Sequence, residues 1–298
     1  MSKNLIVNFH VINDSGWFEK VLVLLKSKYK MTDMSYFEVS NHSDNRNFCH
    51  LTFDDGERSF YTIVYPLLKK YNIPATVFIS PRITVNRSNF WFQEVKGYDE
   101  NIMKRIIADN LALRPEDLKT YTLANLLKSL TIDQINKVIH NYQLETNTPV
   151  KGPQNMSLKE VLELDQDQLV TFGAHTLNHP ILANESNERC KKEIIQSITD
   201  LEELLGHDVK YFAYPNGFLH LDFGEREKEV LSRSNISIAV TLEGGFVSEN
   251  DDRLFLPRIG LTYGSIRFVK LKLLLGKKWE ILKSIRGQSD SNKRLRLS

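Results

Sequence analysis

Short β-rich runs that alternate with helical periods constrain this chain more than any other feature. "LIVNFHVI" (5–12), "CHLTF" (49–53), "PATVFIS" (74–80), "QLVTFGA" (168–174), "VKYFAYP" (209–215), "ISIAVTL" (236–242) and "LFLPRIGL" (254–261) carry the branched and aromatic residues of buried strands. Between them, "GWFEKVLVLLKSKY" (16–29), "ERSFYTIVYPLLKKYN" (57–72) and "NERCKKEIIQSITDLEELLG" (187–206) place apolar residues at helical spacing, and a short helix is expected around 224–234. Strands separated by helices lie parallel, because only a long crossover returns the chain to the same end of the sheet. The expected fold is α/β, a barrel or an open sheet. In both, reactive groups gather at the carboxyl ends of the strands.

Residues 86–165 break the rhythm with a mostly helical insertion, expected after the second barrel strand. Thr131 with Gln134, and Ser157 with Glu160, have the capping-box spacing that opens helices. The aromatic cluster "NFWFQ" (89–93) either walls a cleft or packs the insertion. The polar tail 286–298 is expected to be disordered.

Composition works by exclusion. With 39 Lys plus Arg against 37 Asp plus Glu, the net charge of +2 gives no reason to expect a nucleic-acid partner. Cys49 and Cys190 have neither disulfide-framework nor metal spacing and read as buried apolar residues. The run Leu5–Val7, interrupted by Asn8, is too short for a secretory core, and no segment reaches the roughly 18 apolar residues of a membrane span. A cytoplasmic protein is the expectation. The basic, amphipathic stretch 264–287, broken by Gly276, either lies on an anionic membrane surface or packs its apolar face on the body.

Chemistry concentrates at two strand ends. Asp54 and Asp55 stand side by side after "CHLTF", and His175 and His179 stand four apart after "QLVTFG". A loop coiled into one turn would turn both imidazoles to one side, where they could share a metal ion. Two imidazoles and a carboxylate make a catalytic-type site with open positions, and zinc is the expected occupant. The other Asp is then a base beside it.

"TFDDG" (52–56) and "HTLNH" (175–179) resemble the first two motifs of the polysaccharide deacetylase family, the NodB-homology carbohydrate esterases. The resemblance covers about residues 5–275 apart from the insertion, and implies a distorted (β/α) barrel of the NodB-homology type with a mostly helical insertion, one domain over 1–285. It implies metal-dependent removal of acetyl groups, most of all N-acetyl, from an amino-sugar polysaccharide, oligosaccharide or glycan precursor. By this resemblance Asp54 is the general base, and Asp55, His175 and His179 hold the metal. The third motif is "FAYPNG" (212–217), where Ala213 replaces the arginine that orients the base in many members. Arg258 in "FLPRIGL" is the expected replacement, as in the poly-N-acetylglucosamine deacetylase branch, which also places a histidine after the first strand. His10 occupies that place and is the expected general acid, with His220 as the alternative. The Asn216 backbone N–H is the expected oxyanion donor. His50 is expected to precede its strand and to lie away from the rim, while His42, His140 and His207 read as solvated or packing residues.

Two readings from other classes stand beside this one. The same three ligands describe a 2-His-1-carboxylate iron oxygenase, which the β/α alternation disfavours. The altered third motif and the lack of a histidine after His220 fit a glycan-binding module that has lost catalysis.

Overall fold

The computed structural model describes residues 3–39, 46–276 and 294–295. Its strands are β1 (Leu5–Phe9), β2 (Lys30–Met31), β3 (Phe48–Phe53), β4 (Ala75–Ile79), β5 (Val170–Ala174), β6 (Tyr211–Ala213), β7 (Ile238–Val240) and β8 (Ile259–Gly260). Seven run in the order β7-β6-β5-β4-β3-β1-β8, and every pairing is parallel. The short β2 joins the sheet beside β3. β1, β3 and β4 are buried along their whole length, as parallel strands covered on both faces must be.

The sheet curls until its edges meet at one point. Val240 bridges Leu256, with Leu256 N donating to Ala239 O (3.0 Å) and Thr241 N donating to Leu256 O (2.9 Å). Pro257 follows and has no N–H to continue the ladder, so closure is a single bridge. This is the distortion in the α/β barrel.

Helices α1 (Ser15–Lys26) and α2 (Tyr65–Tyr71) cover the first crossovers. After β4 come α3 (Pro81–Asn86), α4 (Trp91–Glu94), α5 (Glu100–Leu111), α6 (Leu123–Leu127), α7 (Ile132–Thr146) and α8 (Leu158–Asp165). The chain ends its barrel with α9 (Asn187–Leu205), α10 (Glu225–Ser232) and α11 (Ile266–Leu275). Gly206 closes α9 in the left-handed conformation at φ 76°. No helix among the described residues is long and apolar enough to cross a membrane.

The insertion follows β4, the third of the seven path strands in chain order and not the second, because the N-terminal β1 belongs to the same sheet. It has its own core, built on Met103, Ile107, Leu126, Ile135 and Val138. Both capping boxes form: Thr131 accepts from Gln134 N and Ser157 from Glu160 N. The helix the latter opens, α8, sends Val161 and Leu164 into the barrel core, so the insertion ends before it.

Other boundaries shift as well. β1 stops at Phe9, and the chain turns out through exposed His10 and Val11 to Asp14, whose side chain caps α1. His50 lies inside β3 and is buried, not before the strand. His42 and residues 277–287 of the basic segment lie outside the described residues. Within that segment, α11 packs Val269 and Leu273 into the core and leaves Leu271 and Leu274 exposed. In the polar tail, Arg294 and Leu295 are docked: Arg294 pairs with buried Asp222 (2.6 Å), and Leu295 N donates to Ser129 Oγ (2.8 Å).

Candidate metal and catalytic site

Two adjacent aspartates at one strand end repel unless the backbone sends them apart. Directly after β3, Asp55 takes φ 72° and Gly56 takes φ 63°. A side chain on Gly56 would come within 2.7 Å of Ile79 Cγ2, so this turn needs glycine both for its handedness and for its space. The consequence is two carboxylates with different surroundings.

Asp54 faces Arg258. Its Oδ1 and Oδ2 accept from Nη1 (2.7 Å) and Nη2 (2.8 Å), a bidentate pair with both side chains buried. Arg258 is itself fixed: Nε donates to Thr241 O (3.0 Å), and Nη1 also reaches Asn8 Oδ1 and Thr52 Oγ1 (both 3.1 Å). Asn8 Nδ2 donates to Asp54 Oδ2 (3.0 Å). Burial alone would raise the Asp54 pKa, but Arg258 and His175 pull it down, and the net position is well below the usual carboxylate range.

Asp55 faces the histidines. Its Oδ1 lies 3.7 Å from His175 Nε2 and 3.6 Å from His179 Nε2, too far for hydrogen bonds, and is buried without a partner. Burial, then Asp54 and Glu57, push its carboxyl pKa well above the ordinary value. Burial holds His175 down at about 4, and burial with His175 beside it holds His179 well below the usual value, so both rings are neutral at pH 7. His175 Nδ1–H donates to Ala213 O (2.7 Å), which leaves its Nε2 lone pair toward Asp55. A divalent cation fits this set: it satisfies the orphaned oxygen, reverses the penalty on the Asp55 charge and takes two lone pairs already freed of protons.

Left-handed residues bring the two rings together, Thr176 at φ 62° and His179 at φ 54°. Thr176 Oγ1 accepts from His179 N (3.1 Å). The insertion closes over this loop. Trp91 Nε1 donates to His179 O (3.0 Å), and the Phe90 and Phe92 rings meet the His179 ring edge-on at 5.4 and 5.0 Å. "NFWFQ" is therefore a wall of the site as well as packing.

The remaining candidates share the rim to different degrees. His10 follows β1, half-exposed, with Nε2 3.9 Å from Asp54 Oδ2. Asn216 follows β6 at φ 58°, half-buried, with its side-chain Nδ2 unpartnered. No hydrogen bond among the described residues ties it to Asp54 or to the Asp55 cluster. His220 is exposed on the same loop, and its backbone N–H donates to Phe223 O. His207 pairs with Asp165 at the surface, and His140 is exposed on α7. Asn8 and Thr52 are the residues the sequence did not reveal. The available signal was a polar side chain breaking an apolar strand, which here means a buried partner.

A model of the polysaccharide deacetylase family matches residues 41–231, well over half of the chain. No curated protein matches. Among solved structures, IcaB from Ammonifex degensii is similar at 18% identity and a TM-score of 0.62, covering 92% of this chain and 97% of its own. The Streptococcus pyogenes deacetylase PplD, in complex with acetate, is similar at 20% identity and a TM-score of 0.55, covering 87% and 92%. A de-N-acetylase from Aggregatibacter actinomycetemcomitans is similar at 14% identity and 0.57, covering 91% and 99%. These likenesses concern the fold. The match of the family model, spanning both the paired aspartates and the paired histidines that the barrel gathers at one rim, makes this chain a member of the polysaccharide deacetylase family.

Proposed function

We propose that this protein removes acetyl groups, N-acetyl above all, from an amino-sugar glycan or glycan precursor, releasing acetate. The observation that carries the reading is the division of the two aspartates, Asp54 locked to Arg258 and Asp55 facing two neutral histidines. Asp55, His175 and His179 would hold the ion, zinc by its donor set. Bound there, such an ion supplies polarisation of an acetyl carbonyl and a lowered pKa for a water, toward about 7.

The chain's own groups do the rest. Asp54, ionised and aimed by Arg258, takes a proton from the water that attacks the acetyl carbon. The Asn216 N–H, on the adjoining rim loop, is the donor assigned to the oxyanion, a role independent of side chain. His10 protonates the departing nitrogen as the C–N bond breaks, which leaves acetate and a free amine. The fold shared with an acetate-bound deacetylase and with a de-N-acetylase supports the choice of acetyl and of nitrogen.

Acetate release from N-acetylglucosamine oligomers tests the proposal, measured before chelation, after it, and after zinc is restored, with O-acetylated glycans in parallel. Zinc-dependent release from the N-acetylated series is the expected result. Glycan binding with no release from either series would make the protein a binding module on the same barrel.

A further inference from the structure

Three residues separate the two histidines, and the backbone between them must be held for their rings to converge. The carboxylate of Glu193, on α9, meets that backbone directly. Its Oε2 accepts from Leu177 N (3.1 Å) and Asn178 N (3.0 Å), and its Oε1 accepts from Asn178 Nδ2 (2.6 Å). Glu193 is 1% exposed, and Arg189, one turn earlier on α9, donates Nε to Oε1 (3.1 Å). Arg189 in turn reaches Asp133 of α7 in the insertion (3.3 Å).

A buried carboxylate costs free energy unless every oxygen is engaged, and this one is engaged by the loop it supports. Leu177 and Asn178 lie between Thr176 and His179, the two left-handed positions of the loop. Two N–H groups gripped at that point fix the peptide planes on which the approach of His179 to His175 depends. Other supports act at other points: Trp91 holds His179 O, Ala213 holds the His175 ring, and within the loop Thr176 Oγ1 accepts from His179 N.

We propose that Glu193 is a positioning residue for the metal site: it sets the loop so that His175 and His179 present their nitrogens together with Asp55. The inference rests on the reading that these three residues hold a metal. It predicts that Glu193 governs metal affinity and turnover more than it governs folding.

Zinc affinity of the full chain, measured by competition with a fluorescent chelator, tests this in wild type, Glu193→Gln and Glu227→Gln. Glu227 is the control, a carboxylate 2% exposed on α10 that accepts from Gly224 N (2.8 Å) and Cys190 Sγ (3.2 Å) and does not touch the loop. The expected result is zinc affinity weakened about 10-fold or more in Glu193→Gln, as for other groups that orient metal ligands, with kcat for acetate release falling and KM unchanged. Glu227→Gln is expected to lower the melting temperature while zinc affinity stays at the wild-type value. Equal affinities in wild type and Glu193→Gln, or an equal loss in both variants, overturns the role of Glu193 alone. A wild-type chain that binds no zinc overturns the metal reading beneath it. If Glu193→Gln does not fold, Asn178→Ala, which deletes one of the three loop bonds from a half-buried position, is expected to weaken zinc binding several-fold; wild-type affinity there overturns the inference.

Discussion

Asp54 and Asp55 are identical in chemistry and adjacent in sequence, so the separate roles proposed for them rest wholly on surroundings, and substitution should expose the difference. Asp54→Asn is expected to keep zinc and lose turnover by about 10²–10⁴-fold, the usual worth of a general base. Asp55→Asn or His179→Ala is expected to lose zinc as well, measured by metal content after dialysis. Equal metal loss in all three would mean the roles are wrongly divided. His50 gives a second test, remote from the site: its Nδ1–H donates to Thr32 O (2.8 Å), and Nε2 accepts from Thr76 Oγ1 (2.9 Å), a pattern only the neutral ring satisfies. Burial lowers its pKa to about 4. The unfolded chain takes up that proton near pH 6.5 and the folded one only near 4, so stability is full above 6.5 and falls as the pH drops through this window. The expected loss from this one residue between pH 7 and 5 is about 2 kcal/mol, read as the difference in denaturation slopes between wild type and His50→Gln. The residues that the fold gathers at the candidate site were legible because their motifs are local and polar at strand ends. Asn8 and Glu193 were not, since each looks like one polar residue in a strand or helix until the fold supplies its partner.

Elements were legible by type and less so by extent. The seven path strands and the long α9 follow from periodicity, whereas strand ends depend on where a neighbour stops pairing. "LFLPRIGL" yields two residues of β8 and one bridge at Leu256, because Pro257 interrupts the ladder between them. Likewise α8 looks like insertion by sequence position and is barrel by the core it joins. Of the tail 286–298 only Arg294 and Leu295 are among the described residues, and there polar composition gave no sign of one arginine that meets a buried acid. Arg294 Nη2 donates to Asp222 Oδ1 (2.6 Å), and Asp222 Oδ2 also accepts from Phe218 N (3.1 Å), so the tail braces the loop that carries Asn216 and His220. Arg294→Gln should therefore destabilise by about 1–3 kcal/mol in urea, by taking from a buried carboxylate its paired guanidinium and leaving Lys128 as the nearby positive charge. Pairing it with Asp222→Asn should recover part of that loss, because the unpaired charge is then gone.

At the scale of the whole molecule, the barrel rim holds a cluster that is costly without a cation. Asp55 has an orphaned oxygen and a raised pKa, and burial disfavours the protonated form of both histidines. That cost belongs to folding, because the unfolded chain leaves all three groups in water. A metal that binds the folded state alone therefore stabilises the entire chain, by about 2.7 kcal/mol when free zinc is 100 times its dissociation constant. For a chain of 298 residues, at about 2.1 cal/mol/K of unfolding entropy per residue, each kcal/mol moves the midpoint by about 1.5–2 °C, so zinc should raise the melting temperature by about 4–5 °C. Asp54→Asn should show the same rise, since its carboxylate is held by Arg258 and not by the cluster. Asp55→Asn should melt near or above the metal-free wild type, having lost an unpaired buried acid, and zinc should not shift it. A zinc-dependent rise of equal size in Asp55→Asn would place the stabilising ion somewhere other than between Asp55, His175 and His179.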